Sequence, residues 1–191
     1  MPGEIEDEDA ALLARYAAGD QSAARALAAR HAPRALSVAT RMLGDAAEAQ
    51  DVTQEAMIRM FRIAPDWDPT RARLGTWLYR VVSNLSIDRL RARRGGTDTL
   101  DETNTPADDA PTPAERLESA DRARLLHDAI DHLPERQRLA VTLRHIEDLS
   151  NPEIAEILDT SVEAVESLLA RGRRMLAAYL APYRDELEHA T

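Results

Sequence analysis

An acidic, proline-containing stretch in the middle of this 191-residue chain limits its possible folds more than any other feature. Residues 96–121 carry eight acidic residues and one arginine, with three prolines and no apolar period. Such a segment cannot bury enough apolar surface to offset the entropy of ordering it. The sequence therefore predicts a flexible acidic linker, residues 96–112, between domains at 1–95 and 113–191. An acidic loop within one domain is the alternative, although long structureless loops are uncommon in compact domains.

Both flanking parts have the composition and the boundary signals of helices. The chain has 34 alanines and only seven glycines, and no segment alternates like a strand. Helices are predicted near residues 9–18, 20–43, 46–64, 75–94, 113–132, 134–147, 151–158 and 161–178. Helix caps are expected at Asp20, at Asp45 with Glu48, and as capping boxes starting at Thr112, Ser150 and Thr160. The predicted fold class is all-α, with two small helical domains.

Composition and missing motifs exclude several classes of protein. The sequence has no cysteine, which excludes a disulfide scaffold, a thiolate metal site and a cysteine nucleophile. No apolar run could span a membrane, and the acidic N-terminus lacks the apolar core of a secretory signal, so we expect a cytoplasmic protein. The histidines lack metal-ligand spacing, and there is no glycine-rich phosphate loop or nucleophile elbow. No catalytic residue, metal or cofactor is predicted.

The predicted helix 46–64 has two distinct faces at 100° per residue. The broad apolar face consists of Val52, Ala56, Met57, Met60, Phe61 and Ile63. The opposite face carries polar residues, which are Asp51, Gln54, Glu55, Arg59 and Arg62. An ordinary solvated face is the alternative interpretation.

The predicted helix 75–94 lies in a one-sided run of charge. Residues 71–94 contain seven arginines and one acid. Beside the buried stripe lies a second stripe of Trp77, Arg80, Asn84, Asp88 and Arg91. Aromatic rings, amides and guanidinium groups stack on unpaired bases, read base edges and bind phosphates. The alternatives are that Trp77 belongs to the core, and that Trp67, in the preceding loop, folds back onto the domain.

The C-terminal third has the pattern of a helix-turn-helix. Helices 151–158 and 161–178 flank a turn at Asp159 and Thr160, and the small Ala155 permits a close crossing. The second helix of such a unit enters the major groove with its N-terminal half near the bases. Many other helical hairpins share this pattern. Its outward or terminal residues are Glu163, Ala164, Glu166, Ser167, Arg171, Arg173 and Arg174.

These segments together resemble the extracytoplasmic-function (ECF) sigma factors of the sigma-70 family. Their conserved region 2 is similar to Asp51 to Ala56, Trp67-Asp68-Pro69, Gly75 to Arg80, Asn84 and Asp88-Arg89. Their region 4 is similar to residues 133–138 and 149–176. The resemblance covers about residues 10–95 and 120–178.

The resemblance implies a role for each surface. Asp51, Gln54, Glu55, Arg59 and Arg62 would dock the β′ clamp helices of core RNA polymerase. Trp67, Trp77, Arg80, Asn84, Asp88 and Arg91 would melt the −10 element of promoter DNA and hold its bases. Glu163, Ala164, Glu166, Ser167, Arg171, Arg173 and Arg174 would read the −35 element. The β flap of the polymerase and an anti-sigma factor would be further partners, and the latter would provide any tether to a membrane.

Departures from the family pattern concern region 4. Many members carry a base where this chain has Glu166, another where it has Leu168, and a glycine where it has Asp159. The carboxylates of Glu163 and Glu166 either accept a hydrogen bond from the amino group of cytosine or serve only in helix capping and solubility. A sigma-factor mimic that sequesters an anti-sigma factor and a helix-turn-helix regulator are the alternative functions.

Overall fold

The described residues form eight α-helices. A computed structural model describes the backbone of residues 2–93 and 119–183, and the side chains within 8–93 and 125–183. The helices are α1 (Pro2–Ala17), α2 (Gln21–Leu43), α3 (Ala46–Ile63), α4 (Leu74–Arg93), α5 (Ser119–Asp131), α6 (Glu135–His145), α7 (Asn151–Leu158) and α8 (Val162–Leu180). No strand occurs within the described ranges. The all-α prediction is confirmed, whereas the predicted linker and the cap at Thr112 lie outside these residues.

Capping residues define the starts of α2, α3 and α7 where the sequence placed them. Asp20 accepts from the Ser22 N–H at 2.8 Å, and Asp45 accepts from the Glu48 N–H at 2.9 Å. Ser150 forms the expected capping box with Glu153. Side-chain oxygens satisfy here the N–H groups that a helix leaves unpaired in its first turn.

Most helix boundaries lie within two residues of the sequence prediction, and the start of α1 and the end of α6 are the differences that change the local structure. Helix α1 begins at Pro2 rather than near residue 9. Helix α6 ends at His145, two residues earlier than predicted. The N–H groups of Ile146 and Glu147 both bond to the Thr142 carbonyl, and Asp148 takes a left-handed φ of 54°. The chain therefore turns sharply at Glu147.

Helix α2 lies at the centre of the packing. It contacts α1, α3 and α4 of the first helical unit (α1–α4), and α5 and α6 of the second unit (α5–α8). Leu27, Val38 and Met42 are completely buried along it. The buried apolar residues of both units belong to one contiguous cluster.

A buried ion pair joins α1 to α2. The Asp9 carboxylate lies 2.9 Å from Nε2 of His31 and 2.6 Å from Nη1 of Arg30, and Asp9 is 5% exposed. Burial acts to raise the pKa of Asp9, but the hydrogen bonds from His31 and Arg30 outweigh it and hold the pKa below its ordinary value. Asp9 therefore remains ionised between α1 and α2.

We predict that Asp9→Asn lowers the free energy of unfolding by about 1.5–3 kcal/mol at neutral pH, the range for a hydrogen bond to a charged group. A depressed folded-state pKa gives stability that is complete above the unfolded pKa, about 4, and is lost as pH falls through the folded pKa. The difference between wild type and variant should thus narrow below about pH 4. Denaturant unfolding across pH measures both effects.

Glu8→Gln is the matched control for this prediction. Glu8 also pairs with Arg30, at 2.8 Å, but its side chain is 60% exposed. Exposed pairs contribute about 0–1 kcal/mol, so its loss should be smaller. If the two variants lose the same free energy of unfolding, Asp9 is not the dominant partner of Arg30 and His31. A difference between wild type and Asp9→Asn that does not change with pH would also contradict an ionised Asp9.

Candidate functional site

Helix α3 presents the predicted polar stripe to solvent. Asp51, Gln54, Arg59 and Arg62 are exposed and Glu55 is half-buried. The opposite face is fully buried at Val52, Ala56 and Met60. The stripe carries both signs of charge, with a Glu55–Arg59 pair at 2.8 Å. Sequence reasoning missed Ile58, which is 42% exposed among these polar residues and adds an apolar contact to the stripe.

Helix α4 places the predicted DNA-facing residues in two environments. Asn84, Asp88 and Arg91 are exposed, whereas Trp77 and Arg80 are half-buried. The amide and the carboxylate are therefore available to a ligand, and the indole is only partly so.

The two tryptophans contact each other. The ring centroids of Trp67 and Trp77 lie 6.1 Å apart at an interplanar angle of 77°, an edge-to-face arrangement. Both rings also pack against the core, as the alternative interpretations expected. The loop between them is held by Asp68, whose carboxylate accepts from the hydroxyl and N–H of Thr70 at 2.6 and 3.0 Å. These bonds lower the pKa of Asp68, so the loop is fixed by an ionised carboxylate.

Each arginine described between residues 71 and 93 has an acceptor. The pairs within the first unit are Arg71 with Asp68 at 3.3 Å, Arg89 with Asp51 at 3.9 Å and Arg93 with Glu48 at 2.6 Å. The pairs to the second unit are Arg73 with Glu153 at 3.4 Å, Arg91 with Glu135 at 3.9 Å and Arg80 with the Glu156 carbonyl. The cationic segment that the sequence predicts as nucleic-acid-binding therefore has acceptors within the chain, five carboxylates and one backbone carbonyl.

Helices α7 and α8 form the predicted helix-turn-helix. Ala155 is buried at the crossing and Ile157 is 2% exposed. Asp159 adopts the left-handed conformation, with φ 50°, and its N–H bonds to the Glu156 carbonyl. An aspartate tolerates this region better than most side chains, which explains how the turn forms without the glycine that is common there.

The predicted capping box at Thr160 is wrong. The cap is Ser161, whose hydroxyl accepts from the Ala164 N–H at 3.2 Å, and the third helical residue is therefore Ala164 rather than a glutamate. The left-handed Asp159 extends the turn by one residue and gives Ser161 the extended backbone of a cap. The recognition helix begins one residue later than predicted.

Helix α8 exposes nearly all the predicted −35 residues. Val165 and Leu169 are buried, while Glu163, Glu166, Ser167, Arg171, Arg173 and Arg174 are exposed and Ala164 is half-buried. The pKa of Glu163 is lowered by its own backbone N–H and by the Ser161 hydroxyl, which supports a role in the first turn. Arg171 donates to the Ser167 hydroxyl at 3.2 Å.

Helix α8 packs closely on α6 because Gly172 is small. A Cβ at this position would lie 2.9 Å from Cγ2 of Val141. This approach brings the C-terminal end of α6 beside the recognition helix. An open cleft of about 710 Å³ there is lined by Arg144, His145 and Arg173, among others. Sequence reasoning missed Arg144 and His145, and their signal was two adjacent basic residues at a helix end.

The described residues contain neither a metal-binding cluster nor a membrane-spanning helix. Among residues 2–93 and 119–183, no group of three or more His, Cys, Asp or Glu side chains could hold a metal ion. Within the same ranges, no helix is both long enough and apolar enough to cross a membrane.

Comparisons with known families match the two helical units separately. A sequence model of sigma-70 region 2 matches residues 27–95, and one of sigma-70 region 4 matches residues 123–176. The pair of regions, in this order, defines a sigma factor of the sigma-70 family. The match to region 2 is not expected of a simple helix-turn-helix regulator.

Known relatives specify the family further. The ECF RNA polymerase sigma factor SigW of Bacillus subtilis is 32% identical over 171 residues, covering 85% of this chain and 91% of SigW. SigE of Mycolicibacterium smegmatis is 36% identical over 192 residues, covering 96% of this chain and 72% of SigE. The chain belongs to the ECF RNA polymerase sigma factors, the subunits that direct core polymerase to specific promoters.

Solved structures agree with this assignment. CnrH, determined in complex with the cytosolic domain of CnrY, matches with a TM-score of 0.66 and 30% identity, covering 92% of this chain and 98% of CnrH. The sigma factor RpoE from Bartonella quintana, determined with the anti-sigma factor NepR, has the same fold at 19% identity, with a TM-score of 0.59 and coverage of 78% and 91%.

Proposed function

We propose that the α3 stripe is the surface that docks the β′ clamp helices of core RNA polymerase. The observation that carries this proposal is a continuous exposed polar face over a fully buried apolar face. Its two acids precede its two bases along the helix, and Ile58 adds an exposed apolar side chain between them. Charged side chains around a central apolar side chain are typical of a protein–protein contact. The stripe consists of Asp51, Gln54, Glu55, Arg59 and Arg62.

Reversing one charge of the stripe should weaken assembly of the holoenzyme. For Asp51→Arg we expect at least a tenfold loss of affinity for core polymerase, because a like charge placed in a complementary interface costs several kcal/mol. Fluorescence anisotropy of the labelled chain titrated with core polymerase measures this loss. Circular dichroism reports whether α3 stays helical.

The control reverses an acid of the second unit. Asp128→Arg changes the net charge equally at an exposed position on α5. It should retain wild-type affinity for core polymerase. If the two variants lose affinity for core polymerase equally, the net charge of the chain determines binding, and the stripe does not.

We propose that the face of α4 holds bases of the −10 element. Asn84 and Asp88 offer exposed polar groups that can read base edges, and the Trp67–Trp77 pair offers partly exposed ring surface for stacking. The guanidinium groups of Arg80 and Arg91 would bind phosphates once released from their acceptors.

We propose that α8 reads the −35 element in the major groove. Six of the seven predicted residues are exposed, and Ser161 caps the first turn of the helix. Arg144 and His145 lie across the cleft from Arg173 and would extend the contact to the DNA backbone. The reading residues are Glu163, Ala164, Glu166 and Ser167, and the phosphate contacts are Arg171, Arg173 and Arg174.

Two substitutions should separate base reading from phosphate binding. Asn84→Ala should alter base preference in the −10 element, because an amide reads a base edge. Arg171→Ala should weaken binding to all −35 sequences alike and reduce the salt slope by about one, because it removes one phosphate contact. Holoenzyme selection on a randomised promoter library, repeated at several salt concentrations, measures both.

The opposite results would reassign these residues. An equal loss on every promoter for Asn84→Ala would make Asn84 structural. A changed base preference for Arg171→Ala would make Arg171 a reading residue. Gln50→Ala is the control, because Gln50 is exposed on α3 and belongs neither to the α4 face nor to the α8 face. It should leave the base preference and the salt dependence unchanged.

We propose an anti-sigma factor as the regulator of this chain. CnrH, which is similar over nearly the whole chain, was solved with the cytosolic domain of CnrY.

We also propose that the protein acts in the cytoplasm, where core polymerase is found. The second unit would contact the β flap of the polymerase, and the protein would have no catalytic site. The proposed domains are residues 1–95 and 113–191, joined by a linker at 96–112.

Regulation by an anti-sigma factor has a measurable consequence. The chain isolated from its native cells should carry a stoichiometric partner that blocks binding to core polymerase, and removal of this partner should restore binding at least tenfold. Recombinant chain mixed with the purified partner provides the control, since it should reproduce the block. A native chain that binds core polymerase fully without treatment would contradict regulation of this kind.

A further inference from the structure

The loop between α3 and α4 carries an aromatic side chain that borders the face proposed to hold the −10 bases. Trp67 follows a short 3-10 turn, and its ring lies edge-to-face against the ring of Trp77 in the first turn of α4. Trp77 is the first residue of the proposed face. Both rings are half-buried, so each keeps part of its surface accessible at this end of the face.

The chain reverses direction directly after Trp67. The Arg71 N–H bonds to the Asp68 carbonyl at 3.2 Å, which closes a four-residue turn over residues 68–71. Aspartate is favoured at the first position of such a turn and proline at the second, where Pro69 lies. These residues restrict the backbone of the first half of the turn. The second half, Thr70 and Arg71, depends on side-chain bonds.

The Asp68 carboxylate provides those bonds. One oxygen accepts from the Thr70 N–H at 3.0 Å and from the Thr70 hydroxyl at 2.6 Å, and the other pairs with Nε of Arg71 at 3.3 Å. The bonds to Thr70 lower the pKa of Asp68, so the group is an anion at neutral pH. Both oxygens are thus used within the loop, although the side chain is 46% exposed. This favours an action on the turn over direct contact with a base.

We propose that Asp68 is a positioning residue for the −10 contact, whose carboxylate holds the 68–71 turn and so fixes the Trp67 ring where an unpaired base stacks. The proposal rests on the proposed function of the α4 face. The turn follows Trp67 without an intervening residue, so opening the turn frees the backbone on one side of the ring. On the other side, the Trp67 N–H makes a long bond of 3.4 Å to the Ala64 carbonyl.

Intrinsic fluorescence tests the position of the ring in the full chain. The sequence contains two tryptophans, and they are the two members of this contact. Asp68→Ala should raise the acrylamide quenching constant about twofold, because the loss of hydrogen bonds to a charged group lets the loop open. Asp68→Asn keeps an oxygen that accepts from Thr70, so it should stay close to wild type. Circular dichroism reports whether the helices are retained.

Asp66→Ala is the matched control for the quenching experiment. It removes the same charge two residues earlier, at a position that is also exposed. Its quenching constant should equal that of wild type. If Asp68→Ala gives the same quenching constant as this control while the chain remains helical, the carboxylate does not hold the ring, and the positioning role is overturned.

Abasic DNA tests base stacking in the holoenzyme. The probe is a promoter selected from the randomised library, labelled with fluorescein and unpaired over its −10 element, with one −10 base at a time replaced by an abasic site. For wild type, one abasic position should weaken binding about tenfold, which is typical of the loss of a stacked base. At that position Trp67→Ala should lose nothing and Asp68→Ala about threefold, because residues that act on one contact are not additive. Asp68→Asn should restore the wild-type loss.

These outcomes separate the positioning role from the function on which it rests. If no abasic position distinguishes wild type from Trp67→Ala, stacking by this loop fails, and the positioning role fails with it. If such a position exists but Asp68→Ala keeps the full loss there, the −10 assignment of the loop stands and the positioning role alone is overturned. If Asp68→Asn behaves like Asp68→Ala in the DNA experiment, the carboxylate contacts the base itself, which also overturns positioning through Trp67.

Discussion

The C-terminal end of α2 is the point on which both helical units depend. The last carbonyls of a helix lack intrahelical partners and carry the negative end of its dipole. Arg93, at the end of α4, donates to the Leu43 carbonyl, and Arg138, on α6, donates to the Met42 carbonyl, each at 2.9 Å. Two guanidinium groups that are distant in sequence therefore satisfy carbonyl groups at the same helix end. These hydrogen bonds fix the positions of α4 and α6 relative to α2.

Local sequence determined the helices and their faces, and these were predictable. Apolar spacing identified the buried side of α3 and α8, and Asp45 and Ser150 identified starts that the structure confirms. The error at Thr160 has a local cause. Thr160 and Ser161 can both cap a helix, and the choice depends on the left-handed backbone of Asp159, which periodicity does not reveal.

Contacts between distant residues could not be predicted in this way. The sequence placed Glu147 at the last position of a helix, whereas it lies in a turn and bonds to Ser37 and Tyr79, residues 110 and 68 positions away. The residues of the α3, α4 and α8 surfaces were predicted from their chemistry and from the family resemblance. Which cations of α4 have partners on α6 and α7 depends on tertiary packing, for which helical periodicity carries no signal.

The paired arginines of α4 have a consequence for how such a surface can be controlled. The sequence contains 24 basic residues, all of them arginine, and a guanidinium keeps its charge throughout the physiological pH range. Neither proton loss nor the acylation chemistry specific to lysine amines can switch these cations off. Their availability is instead set by competition among acceptors, so a phosphate would have to displace the carboxylates and the carbonyl that these arginines bind within the chain.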